Sequence, residues 1–229
     1  MSLFVIGDTH LSLSVNKPMD IFGGWKNYMQ RLEENWRAII NKEDTVVIPG
    51  DVSWGMSLEE ARADFAFLDD LPGKKILMKG NHDYWWTTKA KMDAFLEQNG
   101  FSTLTILHNN SISAEGISIC GSRGWMFEQG QAHDKKIISR EVGRIRASLQ
   151  DAQRFGDQEK VLFLHYPPIF MEDSIPEFLE VMKEFSVKRC YYGHIHAQGC
   201  RHAFRGEWDG VQMEMVSADF LGFCPKKIG

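Results

Sequence analysis

KKILMKGNHDYWW, Lys74 to Trp86, joins an apolar run to an amide, an imidazole, a carboxylate and three large aromatic rings. KKILMK reads as a short buried strand, and Gly80, Asn81, His82 and Asp83 follow at its end. The same order recurs along the chain. SLFVIG (2–7) runs into Asp8 with His10 beyond it, and DTVVIPGD (44–51) closes on Gly50 and Asp51. KVLFLH (160–165) closes on His165, and RCYYGH (189–194) on Gly193 and His194, with His196 two residues on. Strands buried on both faces of a largely parallel sheet read as such continuous apolar runs. Ligands of open α/β sheets bind beyond the carboxyl ends of the strands, so five polar clusters far apart in sequence are expected to meet there. Five of the eight histidines fall in these clusters, whereas purely structural histidines would be scattered.

The segments between the strands carry helical periodicity. Trp25, Met29, Leu32, Trp36, Ile39 and Ile40 share one face of a helix expected over 25–41. SLEEARADFAFLDDL (57–71) opens with Ser57 and Glu60 in a capping-box pattern and stops before Pro72 and Gly73. Further helices are expected near 89–99, along the Ile138, Val142, Ile145, Leu149 stripe, and over 176–186. Residues 104–121, with HNN and AEG breaking short apolar segments, read as antiparallel hairpins, and another hairpin is expected around EWDG (207–210). The sum is an α/β chain with a parallel first half and antiparallel additions.

At 229 residues and 43% hydrophobic content the chain can bury one substantial core, so 1–229 is expected to be a single domain. A net charge of -5 gives no footprint for nonspecific nucleic-acid or anionic-membrane binding. No apolar run approaches the roughly 20 residues of a membrane span, and MSLFVIGDTH lacks the parts of a secretory signal. A cytoplasmic protein is expected. Cys120, Cys190, Cys200 and Cys224 form no CxxC pair and read as reduced structural thiols.

Imidazoles, carboxylates and an amide oxygen without a nearby thiolate suit Mn, Fe, Zn, Co or Ni. Asp8, His10, Asp51, Asn81, His165, His194 and His196 are too many ligands for one centre that keeps a position open for water. Two divalent or trivalent ions are therefore expected, with Asp51 as the natural bridge at the ~3.5–4 Å spacing of two-metal phosphoester hydrolysis. A water between them, its pKa lowered, becomes the nucleophile. A neutral oxygen from Asn81 keeps the site approachable for an anion. His82 fits a general acid for a leaving alkoxide.

The ordered set Asp8-x-His10, Gly50-Asp51, Gly80-Asn81-His82-Asp83, His165 and Gly193-His194-x-His196 resembles the calcineurin-like metallophosphoesterase superfamily, in particular bacterial phosphohydrolases of this length. The resemblance implies a four-layer sandwich of two mixed sheets flanked by helices, with the metal site at the C-terminal ends of the strands. It also implies that Asp8, His10 and His196 hold one metal, that Asn81, His165 and His194 hold the other, that Asp51 bridges, and that His82 protonates the leaving group. One departure is visible. The phosphoprotein phosphatases of that superfamily carry GDxxDRG, whereas GDVSWG places Trp54 and Gly55 where their second Asp and Arg stand. Asp83 is then a candidate to orient His82, and Arg123 a candidate to hold phosphate.

Trp54, Trp85 and the neighbouring rings are expected either to pack behind the ligands or to wall the substrate, and stacking on a base is worth ~1–3 kcal/mol. NKPMDIFGGW (16–25) is a candidate rim or lid. The expected activity is hydrolysis of a small-molecule or nucleotide phosphomonoester or diester, with a lean to diesters. The alternatives are a noncatalytic scaffold of the same fold and a nuclease. A scaffold would have degraded ligands, and a nuclease would carry a basic groove. His108, His133 and His202 read as surface residues, and Asp219 as a turn residue.

Overall fold

The computed structural model describes residues 1–126 and 134–229, so His133 lies outside the described residues. Along the chain, β1 (Leu3–Val5), β2 (Thr45–Ile48), β3 (Lys74–Leu77) and β4 (Leu104–Ile106) are followed by β5 (Ser111–Ala114), β6 (Ile117–Ser122) and β7 (Glu159–Leu164). Two two-residue strands, β8 (Ile169–Phe170) and β9 (Asp173–Ser174), precede β10 (Arg189–Tyr192), β11 (Gly206–Trp208), β12 (Val211–Met215) and β13 (Lys226–Lys227). One sheet has the order β13-β1-β2-β3-β4 and the other β11-β12-β10-β7-β6-β5; β13, β11 and β5 run antiparallel at the edges.

Strand periodicity explains why the runs are apolar throughout. Leu3, Val5, Val47 and Ile76 of the first sheet meet Ile119, Val161, Phe163 and Tyr191 of the second in a core between the sheets. The alternate residues Phe4, Val46, Ile48 and Leu77 face away, onto α1 (Tyr28–Ile39), α2 (Arg62–Asp70) and α3 (Lys89–Gln98), where Leu32, Trp36, Phe65, Leu68 and Met92 cover them. Leu162, Leu164, Cys190 and Tyr192 turn the other way onto α4 (Asp134–Asp151) and α5 (Pro176–Glu184), against Ile145, Leu149, Phe178 and Met182. Because side chains alternate across a strand, a strand sandwiched between a sheet and a helix layer needs apolar residues at every position. The result is the helix–sheet–sheet–helix sandwich with two large mixed sheets.

Some boundaries differ from the sequence reading. α1 begins at Tyr28, and Ile39 at its end is exposed. The Ser57–Glu60 pair does form, Ser57 Oγ accepting from Glu60 N–H at 3.2 Å, but it caps a turn, and α2 starts only at Arg62. β4 is no part of a hairpin, since Lys75, Ile76 and Leu77 pair with it in parallel, and only β5 and β6 form the expected antiparallel pair. The two sheets are tied at the rim beyond their strands: Gly7 N–H donates to Val216 O at 2.7 Å, and Ala218 N–H to Gly7 O at 3.0 Å. All four cysteines are free. Among the described residues no helix is long and apolar enough to cross a membrane.

Candidate metal centre

The loops after β1, β2, β3, β7 and β10 converge at this rim, and two trios of ligand atoms form there: Asp8, His10 and His196, and Asp51, His165 and His194, each within 4.8 Å of one another. Asn81 joins the second, its Oδ1 standing 2.6 Å from His165 Nε2 and 2.9 Å from His194 Nδ1. Asp51 stands between the trios. Its Oδ2 is 3.7 Å from His10 Nε2 and 3.5 Å from His165 Nε2, while its Oδ1 accepts the His82 N–H at 2.8 Å.

The backbone is bent to achieve this. Asp8, His10, Asp51 and His194 have φ of 58°, 46°, 51° and 72°, the left-handed region that a side chain other than glycine seldom adopts. Asn, Asp and His tolerate it best, so the ligand types also suit the turns. Such strain costs ~1–3 kcal/mol per residue and gathers at functional sites. The glycines of the motifs serve close approach. A Cβ on Gly80 would lie 2.1 Å from Asp51 Oδ1, and one on Gly193 2.3 Å from Asp8 Oδ2. His194 N–H in turn donates to both Asp8 oxygens at 3.0 Å.

Tautomers follow from the neighbours. His165 Nδ1 is 3.2 Å from Pro49 O and donates to it, which leaves Nε2 a bare lone pair facing the Asn81 and Asp51 oxygens. His196 Nδ1 donates to Asp219 Oδ1 at 2.9 Å, which turns its Nε2 toward His10 Nε2 at 3.3 Å and Asp8 Oδ1 at 3.7 Å. Acceptors turned on acceptors in a buried site repel unless a cation lies among them. Burial, with the neighbouring imidazoles, holds His10 well below the usual histidine range, and burial with His165 and His196 pushes His194 down to about 2, so both stay neutral donors. Burial raises Asp8 to about 7, with the His196 charge offsetting part of it and the Asp51 charge adding to it, and burial raises Asp51 to about 6 against the His82 N–H and the neighbouring imidazoles. Burial also works against the His196 cation, but the Asp219 hydrogen bond and the Asp8 charge outweigh it and raise His196 to about 8. The donor set thus fits divalent metal ions.

Asp83 does not orient His82. Its carboxylate is buried and accepts from the backbone N–H groups of Asp51, Val52, Ser53 and Gly80 at 2.7–3.2 Å and from Trp85 Nε1 at 3.0 Å. It clamps the β2 loop to the β3 loop, while His82 Nδ1 has no hydrogen-bond partner among the described residues. Trp85 is 2% exposed and packs edge-on against Phe65 with centroids 4.8 Å apart, so it belongs to the core and lines no substrate site. Arg123 reaches the centre only through its carbonyl, which accepts from His165 N–H at 3.1 Å. Its guanidinium lies 3.8 Å from buried Glu141 and over the Trp125 ring, lining a small pocket with Lys79, Trp86 and Arg144 that includes none of the ligand residues.

Trp54 does face the centre. Its ring stacks on His10 with centroids 5.1 Å apart and lies 4.4 Å from His82. Asp219, expected as a turn residue, supports His196 and also accepts from Ala197 N–H at 2.9 Å. The signal for it was its place in SADF directly after a strand, the position of every other cluster.

A calcineurin-like phosphoesterase family model matches residues 1–198. The chain belongs to the calcineurin-like phosphoesterase family. Membership implies metal-dependent hydrolysis of phosphoesters. Among curated proteins, gene 66 protein of Mycobacterium phage L5 is 40% identical over 52 residues, which span 23% of this chain and 25% of that protein. Among solved structures, TT1561 of Thermus thermophilus superposes with a TM-score of 0.59 at 9% identity, covering 99% of this chain and 97% of its own. A protein of unknown function from Aquifex aeolicus gives 0.50 at 15% identity, covering 99% and 95%. These likenesses bear on the fold alone.

Proposed function

We propose that this phosphoesterase acts on small phosphoesters at a two-ion centre, with Asp8, His10 and His196 around one ion, Asn81, His165 and His194 around the other, and Asp51 shared. The observation that carries the reading is the Asp51 Oδ2 position, 3.7 Å from His10 Nε2 and 3.5 Å from His165 Nε2. Two ions, when bound, would polarise the phosphoryl oxygens and activate a water for in-line attack.

The chain's own residues orient and protonate. Asn81 supplies an oxygen without charge, which limits repulsion of an anionic substrate. His82 is tied through its backbone to Asp51 and through its ring to Trp54, and it is the general acid for the departing oxygen, a role worth typically ~10²–10⁴ in rate. The β2 loop, with Trp54 and Gly55 in place of an acid and an arginine, favours small diesters over phosphoproteins.

The test uses purified protein with Mn²⁺ on para-nitrophenyl phosphate, its bis-ester, a cyclic nucleotide and a phosphopeptide, with metal analysis of the same sample. The expected outcome is two ions per chain, metal-dependent hydrolysis with the bis-ester ahead, and a His82→Ala variant that keeps both ions while losing alkyl-ester turnover. Equal activity in a chelator, or no more than one ion per chain, sinks the two-ion reading.

A further inference from the structure

A cleft of about 260 Å³ opens directly on the candidate centre. It is lined by His10, His82 and His196 together with Met19, Phe22, Trp25 and Trp54, the last stacked on His10. The rim segment 16–25 therefore supplies much of its apolar surface. Two features show what this wall can and cannot read. Apart from the three histidines, its side chains present methylenes and ring faces, and the Trp54 indole Nε1 is itself buried, so the ring rather than its N–H borders the cleft. Beyond the histidines and the Trp25 indole N–H, those side chains offer no strong donor or acceptor to match a nucleobase edge. Phe22 is 52% exposed and Ile21 beside it 74%, apolar surface that a bound hydrocarbon would remove from water.

We propose that this cleft seats the alcohol moiety of the substrate, and that the substrate is the phosphoester of an apolar alkyl or aryl alcohol, not of a nucleoside. The inference rests on the phosphoesterase reading above. His82 lines the cleft, so the group seated there is the one it protonates. The oxygen of a water bonds to phosphorus as the P–O bond to the alcohol breaks. The departing oxygen takes the proton of His82, the water's proton passes to solvent, and His82 is reprotonated from solvent, giving the free alcohol and the phosphate product.

The experiment compares kcat/KM with Mn²⁺ for methyl, butyl, hexyl and benzyl phosphates, as monoesters and symmetrical diesters, with thymidine 5′-phosphate and a dinucleotide as the polar arm. It is paired with binding of methylphosphonate and hexylphosphonate followed by tryptophan fluorescence. A buried methylene is worth ~0.8 kcal/mol, so kcat/KM and phosphonate affinity should each rise about two- to fourfold per methylene in a partly open cleft. Phe22→Ala should flatten both slopes. Nucleotides turned over as fast as the hexyl ester, or no dependence on chain length in turnover and binding alike, would overturn the proposal and leave the phosphoesterase reading standing. Chain-length-dependent binding without turnover of any ester would keep the cleft's preference and sink the hydrolytic reading instead.

Discussion

Asp8, His10 and His196 face Asn81, His165 and His194 across Asp51, and the two trios differ in charge and support. The first carries a carboxylate of its own, and its His196 is 27% exposed at the mouth of the aromatic cleft, held from behind by Asp219. The second is neutral apart from the shared Asp51, and its His165 is fully buried and held by a backbone carbonyl, Pro49 O. An ion in the first half would meet more negative charge, and one in the second would meet mostly neutral donors, one of them anchored by the backbone. The difference teaches that charge is concentrated in one half and backbone anchoring in the other, with Asp51 as the group on which both depend.

Asp51→Asn is the sharpest way to break that arrangement. The charge shared by both halves disappears while the side chain keeps its size and its bond to the His82 N–H. Both ions should be lost at micromolar Mn²⁺, and turnover should fall by at least about 10³, the equivalent of several kcal/mol of transition-state stabilisation. Metal analysis beside rate measurement checks it. A variant that keeps one ion at full affinity would show that Asp51 belongs to one half only.

The second test asks what the negative half costs when no cation is present. Burial raises Asp8 from 3.8 to about 7 and Asp51 to about 6. Their folded-state pKa values lie above the unfolded ones, so between about pH 4 and 7 the folded protein binds more protons than the unfolded chain. The stability these groups contribute is present at low pH and is lost as pH rises through 6 to 7. Below pH 6.5 the neutral His10 and His194 act in the opposite sense, since the unfolded chain holds protons there that they do not, so in a chelator the melting temperature should fall between about pH 6.5 and 8, where Asp8 and His196 still hold protons that the unfolded chain has lost. With Mn²⁺ the ions replace the protons, and the stabilisation by metal should grow from pH 5 to pH 7.5. A melting temperature in chelator that rises steadily over the same range would contradict the burial argument.

Much of this was legible in the sequence for physical reasons. A strand squeezed between a sheet and helices must be apolar on both faces, and that leaves the contrast with Asp8, Asp51, Asn81, His165 and His194 at the ends visible in one dimension. What was hidden depends on direction. Trp54 and Trp85 both follow a motif glycine by four or five residues, yet one faces the histidines and the other enters the core against Phe65. Nothing in local spacing separates them, because the choice is made by Asp83, whose carboxylate gathers N–H groups from two loops 30 residues apart and captures Trp85 Nε1. The surroundings of Arg123 were hidden similarly: buried Glu141, on the helix that follows β6, lies 3.8 Å from its guanidinium.

Asp219 supplies the subtlest test, because it belongs to one half alone. It reaches His196 only because residues past β12 are stitched to Gly7 across the two sheets. By accepting the Nδ1 proton it fixes the tautomer that turns Nε2 toward Asp8 and His10, and partners of this kind are typically worth ~10–100-fold in metal affinity. Asp219→Asn should thus weaken one of two Mn²⁺ binding steps by about that factor and leave the other unchanged, as read by calorimetric titration. A structural role would instead shift both steps together through the fold. The metal-free protein gives an independent signature: the Asp219 bond and nearby carboxylates raise His196 to about 8, above the ordinary 6.5, so the pair stabilises the fold below about pH 6.5 and that contribution is lost as pH rises through 8. In Asp219→Asn the His196 ring resonances should titrate at lower pH than in the wild type. An unchanged His196 titration together with two unchanged binding steps would mean that Asp8 and Asp51 alone set the ring, and that the two halves differ in charge but not in support.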